Sequence, residues 1–219
     1  MRTAKITGTT VEYPIGKILC IGRNYVDHIK ELGNEAPERP VVFMKPATSV
    51  IFDGEEIVIP SYSNDCHHEA ELALLIGKKG RNIPVELAME QIAGYAVAID
   101  LTLRDVQTEL KKKGLPWEIA KGFDTACPLS EFVAADRVRE PQNVRIRLTV
   151  NGETRQDAST ALMIHTIPEI ISYMSGIFTL EPGDVILTGT PAGVGPIRSG
   201  DRLVAEISGV GSLRVSVRQ

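Results

Sequence analysis

The segment Glu69-Ala70-Glu71 carries two carboxylates two positions apart in a stretch that otherwise reads as a buried strand. Taken as a strand over Glu69–Ile76, it puts Glu69, Glu71, Ala73 and Leu75 on one face and Leu72, Leu74 and Ile76 on the other. The Cα atoms of the two glutamates are then about 6.5 Å apart. Two like charges on one face repel, and apolar flanks make them costly to desolvate. A bound cation resolves both costs; an exposed polar strand face is the other reading of the pair alone. Asp100 weighs against exposure, because it ends Tyr95-Ala-Val-Ala-Ile-Asp100, a run too apolar for a solvated edge. A carboxylate there wants a metal, an arginine or a helix N-terminus. Capping the helix near Arg104 is an alternative use for it, although Thr102 would cap equally well. Glu69, Glu71 and Asp100 together make a hard oxygen site with no thiolate, which favours Mg²⁺ or Mn²⁺ over Zn²⁺. His67 shares the strand face of Glu69, and His68 points the other way.

A second group is His28-Ile-Lys-Glu31, where i and i+3 are neighbours on a helix. A carboxylate beside an imidazole orients the ring and raises its basicity, as a general base requires. The same spacing also describes an ordinary surface pair. The helix is short, bounded by Gly22 and Gly33 and followed by a polar loop, which suits a lid. A third group is cationic or polar: Arg23 after Gly22, Lys45 before Pro46, Arg104, Asp105 and Gln107 after Asp100, and Lys121 before Gly122. Gathered at strand ends beside a carboxylate cluster, these describe a pocket for an anionic ligand. Thr188-Gly-Thr-Pro-Ala-Gly-Val-Gly195 is a glycine-rich turn able to offer backbone N–H groups and a Thr hydroxyl to an anion. It is neither a P-loop nor a dinucleotide fingerprint, since no Gly-Lys-Ser/Thr and no long helix follows.

The elements that must position these residues are mostly strands. Lys17–Gly22, Val41–Lys45 and Glu55–Ile59 are short runs bounded by Gly or Pro, and Tyr95–Leu101 reads as another buried strand. Arg145–Val150, Asn151-Gly152 and Glu153–Gln156 form a hairpin signal with a type I′ turn. Val185–Thr188, Arg202–Ile207 and Ser212–Arg218 complete a C-terminal β region. Helices are expected at Val26–Leu32, Pro84–Ala93, Arg104–Lys113 and Ala161–Met174, the last kinked or divided by Pro168. Loops fall at Gly33–Pro40, Pro60–Asp65 and Lys113–Pro116. Strands dominate and helices are interspersed irregularly, so the fold class is α+β, mainly β.

Composition bounds the function classes. The chain has 219 residues, 43% hydrophobic and 24% charged, which is ordinary for a globular protein and argues against wholesale disorder. Lys+Arg 24 against Asp+Glu 28 gives a net charge of -4, which speaks against binding nucleic acid or an anionic membrane through bulk charge. Three dispersed cysteines, Cys20, Cys66 and Cys127, exclude a disulfide framework or zinc ribbon and fit a reducing compartment such as a cytosol. No apolar run is long enough to cross a bilayer, and no signal-peptide core follows the N-terminus. No repeat of 20–50 residues appears.

The order of motifs resembles the fumarylacetoacetate hydrolase family, in its compact branch of acylpyruvate hydrolases and oxaloacetate decarboxylases or tautomerases. The resemblance rests on Gly22-Arg-Asn-Tyr25 with His28 and Glu31, Phe43-Met-Lys-Pro46, and His68-Glu-Ala-Glu-Leu-Ala73. It continues through Asp100-Leu-Thr-Leu-Arg-Asp-Val-Gln107, Lys121-Gly-Phe-Asp124, Asn151-Gly152 and Leu180-Glu-Pro-Gly-Asp184 to Thr188–Gly195. It implies a mixed β-sandwich roll, residues 1–219 as a single catalytic domain with a short N-terminal strand segment over 1–16, and a homodimer. It implies Glu69, Glu71 and Asp100 as Mg²⁺ or Mn²⁺ ligands, and His28 with Glu31 as a catalytic dyad. It implies Lys121 as an oxyanion-stabilising group, and Arg23, Lys45, Gln107 and Thr190 as substrate-pocket positions. The implied reaction is metal-dependent cleavage of the C–C bond of acylpyruvate-type 2,4-diketo acids, with oxaloacetate tautomerisation or decarboxylation as the alternative. A non-catalytic ligand-binding protein on the same scaffold would lack a ligand or dyad member, and all five residues are present. The implied substrate is a small anionic keto acid, with neither nucleic acid nor membrane as partner and a cytoplasmic setting. One departure is Cys127-Pro-Leu-Ser130, where many members carry Pro-x-Gly-Pro, placed by this reading at the pocket rim.

Overall fold

The computed structural model describes residues 2–33 and 38–219; residues 34–37, inside the expected loop Gly33–Pro40, lie outside the described residues. The central sheet runs, in spatial order, Val41–Lys45, Ile18–Gly22, Val185–Leu187, Ala70–Ile76, Ile92–Ile99, Cys127–Leu129 and Val50–Phe52. Val133–Ala134 also pairs with Ile92–Ile99. Most neighbours are antiparallel, but Ile18–Gly22 lies parallel to Val185–Leu187 and Cys127–Leu129 parallel to Val50–Phe52. A second sheet has the order Glu153–Ser159, Arg145–Val150, Arg202–Ile207, Gly211–Arg218, Glu56–Val58.

The two sheets make a mainly-β α+β architecture because the central strands are apolar on both faces. Alternate residues of Ala70–Ile76 enter different cores. Ala70, Leu72, Leu74 and Ile76 join a large cluster with Ile146, Leu148, Leu203 and Leu213 of the second sheet. Ala73 and Leu75 join a smaller cluster with Ile18, Cys20, Phe132 and Leu187. Glu71 has the parity of Ala73 and Leu75, the alternation expected from the sequence. The N-terminal segment is a two-stranded hairpin, Thr3–Lys5 with Glu12–Pro14.

Among the described residues four α-helices attach to this frame: α1 (Val26–Glu31), α2 (Arg104–Lys113), α3 (Glu118–Lys121) and α4 (Ile167–Ile177). Gly114, at φ 64°, ends α2 in the left-handed conformation expected of a C-terminal glycine. The hairpin turn is as anticipated, with Asn151 at φ 53° and Gly152 at φ 83°. Two helix expectations are corrected. Pro84–Ala93 is a 3₁₀ segment over Val85–Gln91, and Ile92 is already strand because it pairs with Ile76 on the central sheet. Ala161–Met174 divides into a 3₁₀ turn, Thr160–Leu162, and α4. Pro168 lies in the first turn of α4, where no N–H is needed, behind a capping box of Thr166 and Glu169. The sequence reading also lacked α3, which delivers Lys121. Among the described residues no helix is long and apolar enough to cross a membrane.

Candidate active site

Strand register builds the carboxylate cluster. Glu71 pairs with Ala98 across the Ala70–Ile76/Ile92–Ile99 ladder, so the next residues along bring Glu69 beside Asp100. The Asp100 N–H donates to the Glu69 carbonyl at 2.8 Å, extending the ladder past both strand ends. Glu69 itself falls in a break between Cys66–His68 and Ala70–Ile76. One carboxylate oxygen each from Glu69, Glu71 and Asp100 lies within 4.8 Å of the others, and all three residues are buried. Asp100 does not cap α2: that helix starts after Leu103, and Thr102 Oγ1 donates to the Asp100 carbonyl.

Three cations answer these charges. Lys121 Nζ donates to Glu69 Oε2 at 2.9 Å and to Asp100 Oδ2 at 2.6 Å. Arg104 donates to Glu69 Oε1 at 2.5 Å and to Gln107 Oε1 at 2.8 Å. Lys45 Nζ lies 2.8 Å from Asp100 Oδ1 but donates to the carbonyls of Leu101, Lys121 and Ala126. Its three N–H bonds are committed there, so Asp100 Oδ1 is buried without a hydrogen bond among the described residues. Lys45 therefore stands behind the carboxylates and away from the cleft, against the expectation that it lines a substrate pocket.

The charges settle unequally. Burial alone would raise the Glu69 carboxyl; Lys121 and Arg104 outweigh it and hold the group well below the usual range. Glu71 is pushed well above that range by burial and by the charges of Asp100 and Glu69, only partly relieved by Lys121 and the Gly189 N–H. Burial works against the Lys121 ammonium, but Asp100 and Glu69 raise its pKa and keep it charged. An all-oxygen cluster holding one carboxyl out of its ordinary ionisation and one oxygen without a donor fits a hard divalent cation.

The second group faces this cluster. The strand Ile18–Gly22 turns at Arg23, whose φ of 60° is unusual for a side-chain-bearing residue. Asn24 locks the turn: its Nδ2 donates to the carbonyls of Thr188 and His165, and its Oδ1 accepts from the His165 N–H. α1 then places buried His28 with Nδ1 at 3.4 Å from Glu31 Oε2. Glu31 accepts the Gly193 N–H at 3.0 and 3.2 Å. Gly193 sits at φ +96°, and a Cβ there would lie 2.1 Å from the Arg155 carbonyl oxygen, so only glycine fits. Burial lowers the His28 pKa below its ordinary value, against the opposing pull of Glu69 and Glu31. A neutral imidazole near pH 7 is the form that can accept a proton.

The glycine-rich turn serves protein carboxylates, which corrects its expected use for an external anion. The Gly189 N–H goes to Glu71 Oε2 at 2.6 Å and the Gly193 N–H to Glu31. The Thr190 hydroxyl donates to the Ala70 carbonyl and accepts from Gln156 Nε2. Gln156 Oε1 in turn receives the Ala70 N–H and meets His68 Nδ1 at 3.2 Å, while His67 Nε2 pairs with Asp65 at 2.9 Å.

One cleft is lined by Arg23, His28, Glu69, Glu71, Gln107, Lys121 and Thr190 together. Arg104, expected in the anion pocket, lines it too, and so do Lys111, Phe43 and Trp117, which were not expected there. Arg104, Gln107 and Lys111 follow the i, i+3, i+7 spacing of one helix face, a signal present in the sequence. Cys127–Ser130 is not at this rim: Cys127–Leu129 is a buried strand of the central sheet. A roomier cavity of about 550 Å³ between the N-terminal hairpin and Gly211–Ser212 holds no comparable convergence of carboxylates, imidazole and cations.

A strand-built cluster of three carboxylates facing an imidazole–carboxylate pair is an arrangement that can hold a divalent cation beside a proton acceptor. The chain belongs to the fumarylacetoacetate hydrolase family: the family model described as Fumarylacetoacetate (FAA) hydrolase C-terminal matches residues 17–218. It is 52% identical over 203 residues to the oxaloacetate tautomerase YcgM of Escherichia coli (strain K12), covering 92% of this chain and 93% of that protein. It is 50% identical over 202 residues to the mitochondrial oxaloacetate tautomerase FAHD1 of Mus musculus, covering 92% and 91%. Its fold matches the crystal structure of fumarylpyruvate hydrolase from Pseudomonas aeruginosa in complex with Mn²⁺ and pyruvate, with TM-score 0.95, 39% identity, and 99% and 95% coverage. The fold is thus the β-sandwich roll that the resemblance implied.

Proposed function

We propose that this protein is a divalent-metal-dependent enzyme acting on small anionic 2-keto acids that carry a second carbonyl or carboxylate, by stabilising the substrate's enolate. The observation that carries this is one cleft holding both the carboxylate trio and the His28–Glu31 pair. Glu69, Glu71 and Asp100 would hold Mg²⁺ or Mn²⁺, and the ion, when bound, supplies Lewis acidity toward the substrate's keto and carboxylate oxygens.

The chain's own groups supply the proton chemistry. His28 Nδ1 faces Glu31, which leaves Nε2 to take a proton. In keto–enol exchange of oxaloacetate, that proton leaves the carbon between the two carbonyl groups and returns to oxygen. The relatives named oxaloacetate tautomerase, about half identical over nine-tenths of the chain, favour this reaction. The dyad supports a second reading, hydrolysis of acylpyruvates. There His28 takes a proton from water, the hydroxide adds to the distal carbonyl, and Lys121 steadies the oxyanion. The C–C bond then breaks, its electron pair passes to the pyruvate fragment, that fragment takes the proton back from His28, and a carboxylic acid and pyruvate are released. The fumarylpyruvate hydrolase neighbour, bound to Mn²⁺ and pyruvate, supports this second reading. Loss of CO₂ from oxaloacetate draws on the same stabilisation.

Arg23, Gln107 and Thr190 belong to the substrate wall in this reading, and a homodimer in a reducing cytosol completes it. A panel with Mg²⁺ or Mn²⁺ tests it, following oxaloacetate enol absorbance, acetylpyruvate loss and pyruvate formation. Metal-dependent turnover of at least one substrate, lost in His28→Ala, is expected. No turnover on any of them would overturn the reading and leave a ligand-binding role.

A further inference from the structure

We infer that Lys111 is a specificity-determining residue of this cleft that binds the far carboxylate of a doubly negative keto acid. The inference rests on the proposed function and adds a residue and a substrate class to it.

Three consecutive lysines end α2, and the structure treats them differently. Lys112 and Lys113 are exposed, whereas Lys111 is half-buried and lines the cleft. It continues the α2 face already occupied by Arg104 and Gln107. Side chains on a helix lean toward its N-terminus, so Lys111 reaches back over the Gln107 turn. Its ammonium lies 5.3 Å from the centre of the Trp117 ring, which steadies the long side chain against the cleft wall.

The charges in this cleft differ in what already satisfies them. Arg104 and Lys121 are ion-paired with Glu69, and Lys121 also with Asp100. Lys111 has no ion pair with a carboxylate among the described residues. It is instead a partly desolvated cation placed near two others. Burial, then Arg23 and Arg104, push its pKa down to about 8. Such a placement costs free energy in the free protein, and an arriving anion removes that cost. In the proposed function the carboxylate adjacent to the keto group would go to the ion that the trio holds, which leaves the second carboxylate for Lys111.

The experiment compares paired substrates in wild type, Lys111→Met, Lys111→Arg and Lys112→Met. One pair is oxaloacetate against its monoester on the far carboxylate; the other is fumarylpyruvate against acetylpyruvate. The kcat/KM ratio of dianion to monoanion is expected to fall about tenfold in Lys111→Met, mainly through KM, the size of one charge-assisted contact. Lys111→Arg should retain most of the ratio, and the exposed Lys112→Met should keep it. An active Lys111→Met enzyme with an unchanged ratio overturns the inference while leaving the proposed function standing. A wild-type enzyme silent on both pairs overturns the proposed function instead. If Lys111→Met folds poorly, Lys111→Gln gives the same reading of the ratio.

Discussion

The carboxylate trio and the His28–Glu31 pair face each other across a cleft, yet they are built by different means. Glu69, Glu71 and Asp100 hang from two adjacent antiparallel strands, fully buried in a sheet that packs on both faces. Glu71 is fixed by its ladder position and the Gly189 N–H, while Glu69 and Asp100, just past the strand ends, are held by cations, of which Lys45 and Lys121 are themselves buried. His28 and Glu31 hang from a six-residue helix held to the frame by the Asn24 turn, the buried Tyr25 and Ile29 side chains and one N–H from Gly193. Buried strands open only with the whole fold, whereas a short helix with one half-buried carboxylate opens locally. The arrangement suits a site in which one wall must stay in register while the other admits a substrate.

The largest expected effect separates function from stability in the strand-built half. Glu71→Gln removes a buried carboxyl that its neighbours already disfavour as an anion. Turnover with Mg²⁺ or Mn²⁺ should fall at least about 10³-fold, the several kcal/mol that Lewis-acid help is worth. The melting temperature should hold or rise, because a like-charge contact disappears. Calorimetric titration should show lost metal binding. A variant that remains active without metal would break the assignment of the trio.

Lys45→Met tests the opposite property of the same half. Removing a cation that is 1% exposed leaves buried Asp100 with Lys121 as its counter-charge, and frees three buried carbonyls. Breaking a buried pair in this way costs about 3–5 kcal/mol. Urea unfolding should show that loss, and a stability within about 1 kcal/mol of wild type would mean the sheet end is far more plastic than its packing implies. Together the two variants would show that one buried charge in this half serves chemistry and another serves the fold.

How far these roles could be read beforehand follows the same division. Residue type and spacing alone marked Glu69, Glu71, Asp100 and the His28–Glu31 pair, because strand and helix periodicities are local. The alternation of Ala70–Ile76 between two cores was equally legible. The destination of Lys45 was not, since it depends on carbonyls of Leu101, Lys121 and Ala126 brought together only by tertiary structure. The glycine-rich turn misled for a related reason: its donors match an anion, but the anions are Glu71 and Glu31, distant in sequence. The 3₁₀ character of Val85–Gln91 was hidden because pairing of Ile92 with Ile76 outweighs local helical preference. Lys111 was masked by its neighbours, as a lysine run at a helix end already has a local explanation in the helix dipole.

The smallest effect concerns the helix-borne half and is read in pH. Burial places the His28 pKa below its ordinary value, so the neutral base accumulates below pH 6.5 and the alkaline side of kcat/KM should be flat through neutrality. Glu31 acts in the other direction, favouring the protonated ring through its charge and hydrogen bond. Glu31→Gln should therefore move the acid limb of the kcat/KM profile to still lower pH. It should also cost about tenfold in turnover, a modest part of the 10²–10⁴ that a positioned base supplies. Stability should change little, because Glu31 is 32% exposed at its side chain and held mainly by one N–H. A limb that did not move would mean the carboxylate does not face the ring in the free enzyme. A loss as large as that of Glu71→Gln would mean that Glu31 does more than orient the imidazole, and the contrast between a rigid wall and an adjustable one would no longer hold.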